Sequence, residues 1–133
     1  MIVDSSALLA ILRKEPEAAR FTRAILRDSV RLISAANFLE AGIVIDNQAG
    51  LSAGRRLDAF VERAAIAIEP VTEEQVRIAR QAYVDFGRGN HRAKLNFGDC
   101  FAYALAKAKG EPLLFKGNDF QHTDVQLAVV PDR

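Results

Sequence analysis

Hydrophobic and polar positions along the chain switch repeatedly between a short apolar run and a helical period. The opening "MIV" is short, apolar and β-branched and predicts a buried strand ending at Asp4, with Ser5 and Ser6 placed to cap a helix through "ALLAILR". Glu15 and Pro16 predict a second helix with proline near its first turn, carried by Ala19, Arg20, Ile25 and Leu26 toward Asp28. "VRLIS" predicts a second strand, Ser34 caps "AANFLEAGIVIDN", and Gly50 closes that helix. "SAGRRLDAFVERA" reads as another amphipathic helix, with Leu57, Phe60, Val61 and Ala64 on one face, and "IAIEPV" as a third strand. Thr72 and Gln75 form a capping box before "VRIARQAYVDFG", whose Val76, Ala79, Ala82, Tyr83 and Phe86 share a face. Residues 87–94 are a basic loop; Asn96 caps a helix from Phe97 to about Lys109, which Gly110 and Pro112 end. "LLFK" is a fourth strand, "GNDF" a turn and "VQLAVV" a candidate fifth strand. Strands alternating with helices predict an α/β layer fold with a mostly parallel sheet of four to five strands flanked by helices.

Composition narrows the class without naming a chemistry. A chain of 133 residues, half of them hydrophobic, predicts one domain over 1–133 that buries roughly two-thirds of its unfolded surface. Eighteen basic against seventeen acidic residues leave a formal charge of +1, which announces neither a global nucleic-acid-binding field nor an acidic tail. One cysteine, Cys100, excludes an internal disulfide and a cysteine-only metal site and fits a reducing cytosol. The start "MIVD" has no basic leader, and no apolar run reaches the roughly 18 residues of a membrane span, so a soluble cytoplasmic protein is expected.

The chemical signal lies in three isolated acids. Asp4 is the only charged residue between Met1 and Leu12, Glu40 between Ser34 and Ile45, and Asp99 between Leu95 and Ala106. A buried unpaired carboxylate costs several kcal/mol or takes up a proton, so acids in core-like segments need a partner, and no basic side chain sits at helical spacing from Glu40 or Asp99. A cation can be that partner. Asp4 ends the first strand, where ligand crevices of parallel sheets open; Asp99 is in the first turn of its helix and Glu40 about two turns into its own. Oxygen ligands without histidine or thiolate suit Mg²⁺ or Mn²⁺ better than zinc. Each acid also has an ordinary reading: Asp4 as a helix N-cap, Asp99 as a first-turn acid, Glu40 as a solvent-facing residue.

The three acids, with "MIVDSSALLAIL" at the start and "LNFGDCFAYALAK" and "LLFKGNDF" near the end, resemble a PIN domain, and more narrowly a VapC toxin of the VapBC toxin–antitoxin modules. The resemblance spans essentially the whole chain. It implies a three-layer fold with a parallel sheet, metal-dependent RNA cleavage leaving 5′-phosphate and 3′-hydroxyl ends, a homodimer and inhibition by a VapB-type antitoxin. Asp4, Glu40 and Asp99 match the family's first three acids. Where many members carry the fourth acid this chain has Gly117, which leaves Asn118, Asp119 or Asp124, with Asp119 the preferred catalytic and metal-binding candidate.

Weaker signals complete the reading. Arg88, His91, Arg92 and Lys94 can contact RNA phosphates, or simply be solvated. Ser5 and Ser6 can reach a metal's water shell or only cap. Cys100 reads as a small core residue and His122 as a turn residue. Rival functions are a haloacid dehalogenase-type phosphatase, which needs an aspartate two residues after its nucleophile where this chain has Ser6, and a receiver domain, which needs an acidic pair after the first strand. A non-catalytic partner-binding module whose acids hold a structural ion is the rival from another class.

Overall fold

A computed structural model describes residues 1–132. Four strands, β1 (Ile2–Val3), β2 (Leu32–Ser34), β3 (Ala67–Glu69) and β4 (Leu113–Leu114), form a sheet in the order β3-β2-β1-β4 with every neighbouring pair parallel. Parallel neighbours require crossovers, and the helices α1 (Ser5–Leu12), α2 (Ala18–Arg27), α3 (Ala35–Arg63), α4 (Glu73–Phe86) and α5 (Phe97–Lys109) supply them. Alternation along the strands divides the interior in two. Val3, Ile33 and Leu114 join Leu8, Ile25, Ala41 and Leu57 in one core, on the side of α1, α2 and α3. Ile2 and Leu113 join Ala82, Leu105 and Phe120 in the other, on the side of α4 and α5. Both faces of the sheet are thus covered at β1 and β4, whose residues are all buried and read as unbroken apolar runs, whereas the edge strand β3 is largely exposed.

The structure departs from the sequence reading in three places. α2 begins at Ala18 rather than at Glu15, because α1 ends with Lys14 in a left-handed conformation (φ 53) and the Glu15 N–H bonds back to Ala10 O at 3.0 Å. Residues 13–17 are used in that turn. By contrast Gly50 breaks the helix as expected (φ 79) and the expected second helix follows it, so α3 is two arms folded back on each other, with Gly42 facing Leu57. "VQLAVV" forms no strand: it makes one bridge, Leu113 with Leu127, since β4 is two residues long and offers no further ladder. On α4, Ala79 and Ala82 are buried, but Val76 and Tyr83 stay 48% and 42% exposed on the outer edge of the predicted face.

Candidate active site

The strand order places the site. From β1 the chain steps outward to β2 and β3, then returns across the sheet to β4, so connections leave in opposite directions between β1 and β4. At such a switch point the C-terminal strand ends part and leave a crevice. A cleft of about 260 Å³ lies there, and Asp4, Glu40, Asp99 and Asp119 all line it, together with Ser5, Ser6, Asn96 and Lys116.

Asp4 is held by the local chain. It leaves β1 in extended conformation and is itself the N-cap of α1, the role expected of Ser5 and Ser6. Its Oδ2 accepts the Ser6 N–H at 3.0 Å and the Ser6 hydroxyl at 2.6 Å, while Ser6 Oγ accepts the Lys116 N–H at 2.9 Å. This fixes the direction of both hydroxyl bonds and ties the ends of β1 and β4 together. Asp4 is 2% exposed, and its Oδ1 has no hydrogen-bond partner among the described residues. Burial pushes the carboxyl up to about 6; the Ser6 bonds oppose the rise and the nearby Glu40 charge adds to it.

Glu40 is half-buried and so does not simply face solvent. Its Oε1 accepts the Ser5 hydroxyl at 2.5 Å and lies 3.4 Å from Asn37 Nδ2, which also donates to Gly98 O at 2.9 Å. The glycine is required by this contact: a Cβ at Gly98 would stand 2.2 Å from Glu40 Oε2. Asp99 closes a reciprocal capping box, its N–H donating to Asn96 Oδ1 at 2.9 Å and its Oδ2 accepting the Asn96 N–H at 3.0 Å. Burial pushes Asp99 up to about 7, helped by the negative charges of Asp4 and Asp119 and opposed by the Asn96 bond. The capping and cleft readings of Asp4 and Asp99 therefore hold together.

Of the candidates for a fourth acid, Asp119 lines the cleft and Asp124 does not. Asp124 accepts the Tyr103 hydroxyl and pairs with Lys107 Nζ at 3.2 Å, fastening the loop after β4 to α5. Among the described residues no three acidic, histidine or cysteine side chains are gathered closely enough to hold an ion as they stand. The donors nevertheless fit a hard divalent cation. They are all oxygens, the buried Asp4 Oδ1 lacks a partner, and two carboxyls are pushed up where a cation would pull them down.

Arg88, Arg92 and Lys94 are exposed on a loop closed at its base by Arg88 N–H to Leu95 O at 2.9 Å and Leu95 N–H to Phe86 O at 3.0 Å. They stand outside the cleft wall, although the loop leads into Asn96. His91 serves that loop, its Nδ1 accepting the Ala93 N–H and its ring packing edge-on against Phe86. His122 lies in a single 3-10 turn, Phe120–His122. Cys100 is buried and its thiol is pushed up to about 11, a poor nucleophile. Sequence reasoning passed over Asn37, Gly98 and the cleft position of Lys116. Asn37 had a signal: a polar residue in an apolar run, three positions before Glu40 and so on its face.

A parallel α/β fold with acids lining the cleft at its switch point is shared by several classes of protein, and the family match decides among them: the chain belongs to the PIN domain family, whose model matches residues 1–126. Its relatives within that family are ribonucleases. It is 56% identical over 130 residues to "Ribonuclease VapC28" of Mycobacterium tuberculosis, covering 97% of this chain and 98% of the relative. It is 50% identical over 125 residues to "Ribonuclease VapC" of Mycolicibacterium smegmatis, covering 94% and 97%. Among solved structures, Mycobacterium tuberculosis VapC20, described as a sarcin-ricin loop cleaving toxin, superposes with a TM-score of 0.79 over 98% of each chain; at 20% identity this bears on the fold alone.

Proposed function

We propose that the protein is a divalent-metal-dependent endoribonuclease and the toxin of a type II toxin–antitoxin pair. The observation that carries the metal-dependent reading is the buried, partnerless Oδ1 of Asp4 in a cleft shared with Asp99, Glu40 and Asp119. Asp4 and Asp99 are the primary holders of Mg²⁺ or Mn²⁺, with Asp119 and Glu40 completing the set directly or through water. A bound ion of this kind polarises the phosphoryl oxygen and lowers the pKa of water for attack. The side chains do the positioning. Ser6 occupies Asp4 Oδ2 and so turns Oδ1 to its task; Asn37 and Ser5 hold Glu40 where it orients the attacking water and takes its proton. In-line attack would form the new bond from water oxygen to phosphorus and break the bond from phosphorus to the 3′ oxygen; that oxygen takes a proton from a neighbouring water to leave as a 3′-hydroxyl, Glu40 holds the proton lost by the attacking water, and the other fragment carries a 5′-phosphate.

The partners follow from the same reading. Relatives called VapC at 50–56% identity support a VapB-type antitoxin as the inhibitor. A homodimer is supported by the apolar groove of about 590 Å³ between α4 and α5, where Val76, Tyr83, Val84 and Phe97 are 42–79% exposed. Arg88, Arg92 and Lys94 are proposed to meet phosphates flanking the cut. Among the described residues no helix is long and apolar enough to cross a membrane, in keeping with a cytoplasmic site of action. Purified protein is expected to cut single-stranded or looped RNA with Mn²⁺ or Mg²⁺ and to stop in excess EDTA, and Asp99→Asn to be inactive. Undiminished cutting in EDTA refutes the reading.

A further inference from the structure

We propose that Lys116 is a substrate-binding residue of the cleft, a phosphate clamp held in reserve by Glu15 and Glu17 until RNA arrives. The proposal rests on the ribonuclease reading above. Among the described cleft-lining residues Lys116 is the one cation, set against four carboxylates. Its root is fixed and its tip is free. The backbone N–H is pinned by Ser6 Oγ at 2.9 Å two residues after the end of β4, which restrains the Cα, whereas four methylenes let the ammonium sweep the cleft mouth. That ammonium now pairs with Glu15 and, at 3.1 Å, with Glu17, in the turn between α1 and α2.

The pairing is built to be released. The Lys116 side chain is 38% exposed, against 24% for Glu15 and 20% for Glu17, and an ion pair open to water and salt on the lysine side is weakened by their screening. Each carboxylate also has a second cation at hand. Arg13 Nη1 stands 3.9 Å from Glu15 Oε1, and the Arg20 charge acts on Glu17. When Lys116 departs, neither glutamate is left without a counter-charge.

A clamp and a mere strut for the turn predict different outcomes. Steady-state cleavage of a labelled single-stranded RNA with Mn²⁺ is followed at several salt concentrations in wild type, Lys116→Gln, Lys116→Arg and Glu15→Gln/Glu17→Gln. The clamp predicts that Lys116→Gln raises KM about tenfold with little change in kcat and flattens the slope of log(kcat/KM) against log salt by roughly 0.7, one single-strand phosphate contact. Lys116→Arg restores KM, and the double glutamine variant lowers it. If Lys116→Gln and the double variant both lose melting temperature while KM and slope stay at wild-type values, Lys116 is a strut and the proposal falls. Wild type that fails to cut RNA overturns the ribonuclease reading itself, and the clamp with it.

Discussion

Gly98→Ala is expected to separate stability from activity. Its added Cβ would stand 2.2 Å from Glu40 Oε2 and 2.8 Å from Cδ, against an ordinary contact of 3.4–4 Å, so the carboxylate must retreat by roughly 1 Å. Retreat is easy for the end of a long side chain, but it strains the 2.5 Å bond from Ser5 and the 3.4 Å approach of Asn37. The fold loses little. Glu40 is half-buried and regains water, and alanine in a helix is favoured over glycine by up to about 1 kcal/mol, so the melting temperature should stay within about 4 °C of wild type. Catalysis suffers more, because a misplacement of about 1 Å at a reacting group costs on the order of 100-fold. Cleavage of labelled RNA with Mn²⁺ should therefore fall about 10- to 100-fold. Adding Glu40→Ala should cost no more than Glu40→Ala alone, since both changes act on one carboxylate. Wild-type rates in Gly98→Ala, or additive losses in the double variant, would refute a role for Gly98 in seating Glu40.

The metal-free protein should lose stability as pH rises. Asp4 and Asp99 hold their protons to about 6 and about 7 when folded and to about 3.8 when unfolded, so the folded state binds more protons across that window. Below it there is no difference, and above about 7 the loss is complete; Asp4 alone corresponds to roughly 3 kcal/mol. Denaturant midpoints in EDTA at pH 5 and pH 8 test the sign, with a higher midpoint at pH 8 counting against it. Added Mn²⁺ should raise the pH 8 midpoint most. Asp119→Ala is expected to weaken Mn²⁺ binding and slow cleavage, less than Asp99→Ala, whereas Asp124→Ala should leave Mn²⁺ affinity unchanged and cost about 1 kcal/mol by stranding the Tyr103 hydroxyl. Calorimetric Mn²⁺ titration of the variants decides it, and the opposite ranking would reassign the fourth acid.

What the sequence made legible depended on how local the cause was. The lone acids stood out because an ionised side chain in an apolar run has few inexpensive explanations, and helix starts at Thr72 and Asn96 stood out because their caps lie within four residues. α2 was misplaced because the αL residue closing α1 is a lysine rather than a glycine, which carries no composition signal. The missing fifth strand reflects the shortness of β4, a property of the partner and not of "VQLAVV" itself. Gly98 and Lys116 were invisible as site residues because their roles arise from contacts 58 and 110 positions away, with Glu40 and Ser6.

The double duty of Asp4 bears on how an inactive protein should be made. One oxygen caps α1 and accepts from Ser6, and the other is spare, so the two can be lost separately. Asparagine keeps a carbonyl oxygen for the cap and removes the charge; alanine removes both and forfeits a cap worth about 1 kcal/mol. Asp4→Asn is thus the silent form suited to trapping an RNA or inhibitor complex on a native scaffold, whereas a loss of toxicity in Asp4→Ala would confound a dead site with a frayed first helix.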